Sequence, residues 1–178
     1  VYLKGGAAAA FRAYVGANDA GTIQTTIKNF KMTNAYIENS ITDNGTAFVA
    51  GQASKVASFH NIYIDDTCEI VTSTVTAVGG ILGQSAYNVF MSNIAMNGKV
   101  TGKANVGAFV GSLTSGARLD IKSSYTTADL YAQGVTDRNL ATASGAVYVV
   151  KKQGTVDAAA TLLTLDQMKG ENAKTYMT

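Results

Sequence analysis

His60 is the only histidine in the chain, and the densest acidic group, Asp65-Asp66 with Glu69, follows just downstream. A lone histidine excludes a His-Glu-x-x-His zinc site within these residues. Any serine nucleophile would have to use His60 as its base. His60 precedes Asn61 in an alternating stretch, and the alternation places it on an outer face as a surface side chain. Paired carboxylates are the machinery of glycan cleavage. Adjacent residues on a strand face opposite sides, so Asp65 and Asp66 line one face only in a turn. Thr67 follows them, and Asp and Thr favour turns. Asp43 with Asn44-Gly45, and Asp19 with Asn18, also read as turns, and none has the Asp-x-Asp-x-Asp spacing of a calcium loop. Cys68 is the only cysteine, so the chain makes no intramolecular disulfide and no thiolate zinc cage. It reads as a small buried apolar side chain. No catalytic residue, metal or cofactor is expected.

The elements that carry these residues are repeats. Val78-Gly79-Gly80-Ile81-Leu82-Gly83 recurs as Val106-Gly107-Ala108-Phe109-Val110-Gly111. Weaker copies are Thr46-Ala47-Phe48-Val49-Ala50 and Arg12-Ala13-Tyr14-Val15-Gly16. A second arm carries an Asn among alternating apolar residues: Asn29, Asn61 and Asn93, with Ser123 in the last copy. These positions are 32, 32 and 30 residues apart. A third, short arm is Tyr36-Ile37-Glu38, Glu69-Ile70-Val71, Lys99-Val100-Thr101 and Asp129-Leu130-Tyr131.

Three short arms with period-2 alternation per roughly 30 residues predict three strands per unit. Asn-Gly turns occur at no constant place in the unit, which argues against hairpins. The expected fold is all-β: a parallel β-helix (β-solenoid) in which each arm stacks on the same arm of the next coil. Phe48, Leu82, Val110, Ile62 and Ile94 would fill a narrow core. Gly16, Gly79, Gly80, Gly83, Gly107 and Gly111 would allow close backbone approach at the bends. Asn29, Asn61 and Asn93 are expected at equivalent positions, because a column of amides can both donate and accept.

The repeats are expected over residues 1–150, four to five coils with the first incomplete, and a cap or linker over 151–178. Thr164-Leu165-Asp166-Gln167 is a capping-box pattern, predicting a short helix that Gly170 stops. The open end of a solenoid needs covering, so this tail reads either as a cap or as a linker to a following domain.

Composition narrows the function classes. Apolar residues make up 47% of the 178, so disorder is not expected. A net charge of +2 with scattered Lys and Arg argues against nucleic acid. No apolar run reaches the roughly 18 residues of a membrane span. The chain starts at Val1 and reads as a processed or excised piece of something longer. It has nine Tyr against six Phe, and Tyr63, Tyr87 and Tyr125 lie in or beside the arms. Tyr rings there either pack half-buried at a coil edge or stack on a glycan or protein ligand.

The segment from Ala77 to Leu113 resembles the GLUG-type repeat of bacterial surface proteins. Gly79, Gly80, Ile81, Leu82 and Gly83 match its Gly-Gly-aliphatic-aliphatic-Gly core, Asn93 its middle arm, and Gly98-Lys99-Val100-Thr101-Gly102 its third. The next copy matches through Val106, Gly107, Val110 and Gly111. The closing stretch from Thr161 is similar to the Thr-rich, Met-Lys-containing segment that often follows the last such repeat. The resemblance implies a right-handed parallel β-helix in a secreted or cell-surface bacterial protein. It also implies adhesin-like proteins, or the non-catalytic part of immunoglobulin-A-cleaving zinc metallopeptidases, as its context. The expectation is a non-catalytic adhesin segment, spacer or scaffold, whose partner is a surface protein, a glycan or another copy. The alternatives are a carbohydrate-active β-helix (lyase or hydrolase) and an accessory domain of a surface metallopeptidase.

Overall fold

The computed structural model describes residues 2–4, 11–15, 25–40, 45–114, 116–133, 149–152 and 155–162. In chain order the strands begin with β1 (Tyr2–Lys4), β2 (Phe11–Val15), β3 (Thr25–Met32) and β4 (Tyr36–Glu38). The next coil is β5 (Thr46–Ala47), β6 (Ala50–Ala53), β7 (Ala57–Ile64) and β8 (Glu69–Val71). Then come β9 (Ala77–Gly79), β10 (Leu82–Ser85), β11 (Val89–Met96) and β12 (Lys99–Gly102). The fourth set is β13 (Asn105–Gly107), β14 (Val110–Leu113), β15 (Arg118–Thr126) and β16 (Asp129–Ala132). Last are β17 (Val149–Lys152) and β18 (Thr155–Leu162).

Each strand pairs with its counterpart one coil away, and every pair is parallel. Sheet I runs β1-β4-β8-β12-β16, sheet II β17-β14-β10-β6-β2, and sheet III β18-β15-β11-β7-β3. A short sheet IV, β13-β9-β5, completes the coil. The chain is therefore a β-solenoid.

The single glycine-rich arm of the sequence is two strands in the structure. Sheets IV and II divide it at a two-residue corner, Phe48-Val49, Gly80-Ile81 and Ala108-Phe109. Glycines make this corner sterically possible. A Cβ on Gly79 would lie 2.7 Å from the Gly111 nitrogen, and one on Gly83 2.6 Å from the Thr46 nitrogen. A Cβ on Gly80 would lie 2.6 Å from the Met96 Cε and closer still to the Ala108 carbonyl oxygen. Gly107 is buried, pairs with Gly79, and its carbonyl accepts the Gly80 N–H at 3.1 Å. The two sheets meet backbone to backbone there.

Side chains fill the rest of the interior as columns. Ile27, Phe59, Met91 and Ile121 are in register across sheet III, and all are buried. Ile37, Ile70, Val100 and Leu130 do the same in sheet I. Unequal coil lengths are taken up in the loops. Leu82 pairs with Val110, 28 residues on, whereas Val89 pairs with Leu119, 30 residues on. The extra two residues lie between β14 and β15, where Gly116 has φ +82°.

Strand pairing continues beyond residue 150. Val149–Lys152 extends sheet II, and Thr155–Leu162 extends sheet III with a one-residue register shift between Ile121 and Ser124. Gly16 and the expected helix at 164–170 lie outside the described residues.

Candidate functional site: the outer face of sheet III

The outer face of sheet III starts from an irregularity in its strands. Asn29, Asn61, Asn93 and Ser123 have φ of 57°, 54°, 55° and 47°. Asn tolerates this left-handed conformation better than other side chains because its short amide bonds locally. One such residue bends each strand and resets its alternation. Phe59 points in, His60 and Asn61 both face out, and Ile62 points in again. The same doublet occurs at Lys28-Asn29, Ser92-Asn93 and Lys122-Ser123.

The amides then link across coils. Asn61 Nδ2 donates to Asn29 Oδ1 at 2.9 Å, and Asn93 Nδ2 donates to Asn61 Oδ1 at 3.1 Å. In the fourth coil a neighbouring hydroxyl serves the bend instead. Ser124 Oγ accepts the Ile94 N–H at 3.1 Å and donates to the Lys122 carbonyl at 2.7 Å. Replacing Asn61 by Ala keeps the left-handed backbone while removing both amide bonds, so a loss of about 1–2 kcal/mol is expected. Asn61→Gly relieves the backbone cost and should lose less. Urea denaturation of the two variants checks the order, and an equal loss would assign the effect to the ladder alone.

Two rows flank this ladder. One is Lys28, His60, Ser92 and Lys122, and the other is Lys31, Tyr63, Ala95 and Tyr125. His60 Nδ1 lies 2.7 Å from Ser92 Oγ. The contact joins a hydroxyl to an imidazole, yet among the described residues no carboxylate contacts the ring to orient it as in a triad. Over β3, β7, β11 and β15 the one acid of this face, Asp120, is held by Arg118 at 3.7 Å and Lys122 at 3.8 Å. Among the described residues no group of three His, Cys, Asp or Glu could hold a metal ion.

The acidic stretch after β7 forms a turn. Asp65 Oδ1 accepts the Thr67 N–H at 3.0 Å and also its hydroxyl, and Thr67 Oγ1 accepts the Asn34 N–H at 2.8 Å. Asp65 is thereby tied to its own loop, and Asp66 is exposed. Cys68 is buried with its Sγ 3.5 Å from the Met32 carbonyl, and burial pushes its thiol pKa up. A buried, protonated thiol is a poor nucleophile.

The tyrosines occupy distinct settings. Tyr63 and Tyr87 are the large apolar side chains most open to solvent among the described residues, at 40% and 41%. Tyr125 is half-buried. The Lys31 ammonium sits 5.5 Å from the Tyr63 ring centre, and Lys55 sits 5.6 Å from that of Tyr87. Sequence reading did not pick out these lysines. The signal was present, because Lys31 precedes Tyr63 and Lys55 precedes Tyr87 by 32 residues, the spacing of the Asn ladder.

Partial burial raises the Tyr63 pKa, and the nearby Tyr125, Asp65 and Asp66 add to the rise against an opposing hydrogen bond from Asn97. The folded state therefore holds this phenol's proton more tightly than the unfolded chain does. The linked stability is intact below the ordinary Tyr pKa of about 10 and falls as pH rises beyond it. Alkaline titration followed by tyrosinate absorbance should show a late-titrating phenol that Tyr63→Phe removes. Loss of an early phenol instead would contradict the assignment.

The chain matches no protein-family model, no curated protein and no solved structure.

Proposed function

We propose that this chain is a non-catalytic β-solenoid module of a secreted or cell-surface bacterial protein, acting as an adhesin segment, spacer or assembly scaffold. The observation that carries this reading is the regularity of the outer face of sheet III. Side chains recur there in rows one strand spacing apart, about 4.8 Å, over the in-register strands β3, β7, β11 and β15. Such a surface suits binding spread along a face. The best acidic pair supports the same reading, since Asp65 is engaged in closing its own turn. The resemblance of Gly79 to Gly83 and of Gly107 to Gly111 to GLUG-type repeats supports the surface location.

The test is incubation of the chain with acidic and neutral polysaccharides, scored by release of reducing or unsaturated ends. No turnover is expected. Turnover abolished by Asp65→Ala or Asp66→Ala would replace this reading with that of a carbohydrate-active β-helix.

A further inference from the structure

We propose that the outer face of sheet III is a docking track for an acidic polysaccharide, lying along the stacking axis with sugar faces on the tyrosine row and carboxylates over the lysine row. The proposal rests on the surface-module reading and names its ligand class.

Three features of the face meet this chemistry. The first is charge. Over β3, β7, β11 and β15 its outward positions hold Lys28, Lys31, Arg118 and Lys122 against one carboxylate, Asp120, which is paired with Arg118 and Lys122. The face therefore presents net positive charge, although the whole chain carries only +2. An anionic ligand complements it.

The second is the aromatic row. Tyr63 and Tyr125 stand two strands apart, about 9.6 Å, with Ala95 between them in register. That span is close to the length of a disaccharide. Ala95 points outward yet is only 8% exposed, so it forms the floor of a shallow saddle between its neighbours. Tyr rings offer flat apolar faces with a polar rim, which suits the C–H face of a sugar with its hydroxyls at the edge.

The third is the pairing of the two chemistries. Lys31 lies against the Tyr63 ring on the face, and Lys55 lies against the Tyr87 ring beside it, in the connections that lead into β7 and β11. Each pair joins a stacking surface to a cation within one sugar's reach, as a uronic acid residue requires. The acidic turn at Asp65-Asp66 follows β7 at the Tyr63 end of the strand. It repels carboxylates from that side and directs them toward Lys28 and Lys122.

The experiment is affinity electrophoresis and calorimetry of the full chain with polygalacturonate, neutral xylan and poly-glutamate. Polygalacturonate should bind and should weaken as salt rises, because the charged contacts are exposed. Tyr63→Ala combined with Tyr125→Ala should weaken binding at least tenfold. Lys28→Gln with Lys31→Gln should weaken it severalfold and flatten the salt dependence. Lys103→Gln, an exposed lysine after β12, should leave it unchanged. These positions are on the surface, and unchanged circular dichroism verifies folding. Failure of polygalacturonate to bind, equal binding of xylan or of poly-glutamate, or indifference to the tyrosine pair would each overturn the track. Binding followed by cleavage would support the track and overturn the non-catalytic reading, so the two failures are separable.

Discussion

Gly83→Ala is expected to destabilise the solenoid by about 3 kcal/mol or more, at the upper end of what overpacking costs. The added methyl would lie 2.6 Å from the Thr46 nitrogen, 2.9 Å from the Gly45 carbonyl carbon and closer to the Gly51 carbonyl oxygen. All three are backbone atoms of the preceding coil. A flexible side chain could rotate away, but backbone can yield only by separating sheets IV and II, which costs hydrogen bonds in both. The right control is Gly116, whose φ is +82° and whose added Cβ would meet nothing within 4 Å. Gly116→Ala carries only the left-handed penalty of about 1–2 kcal/mol. Guanidinium denaturation of the two variants gives the comparison. If Gly83→Ala costs no more than Gly116→Ala, the close approach at the corner is not what selects glycine.

That contrast marks where the sequence was legible and where it was not. The coil repeat could be read because equivalent residues must stack in register, and a strict spacing of 32 residues from Asn29 to Asn61 to Asn93 records it. The glycines could be recognised as sites of close approach. The division of their arm into two strands could not, since a Gly-Gly pair stands at the corner in one coil and Phe48-Val49 and Ala108-Phe109 turn the same corner without one. The left-handed bend was also missed. The Asn stands among alternating apolar residues, but the polar doublet His60-Asn61 between Phe59 and Ile62 breaks period two. An apolar-polar-polar-apolar break repeated at constant spacing is a signature of a bent strand. The Lys–Tyr contacts escaped notice because an isolated lysine has no pattern until the register pairs it with an aromatic residue one coil away.

The same register decides what a lost core side chain does. Phe59 is 0% exposed at the centre of a buried column, with Ile27 on one side and Met91 on the other. Phe59→Ala is expected to cost about 3–5 kcal/mol through lost burial and the cavity left behind. In a globular core, neighbours from several directions can relax into such a void. In a solenoid each coil contacts only the coils beside it, and stability is a sum of coil and interface terms. The loss therefore falls on the two interfaces that β7 makes, with β3 and with β11. The β3 side is the weaker, since Ile27 retains 9% exposure while Met91 retains 2%. Hydrogen exchange on Phe59→Ala should show amides of β3 opening well before those of β11 and β15, a local separation of the first coil from the rest. Phe59→Leu keeps most of the volume and should cost less than about 1.5 kcal/mol with no such separation. Uniform loss of protection across all the coils would show that the stack unfolds as a single cooperative unit, and the nearest-neighbour account of its stability would then fail.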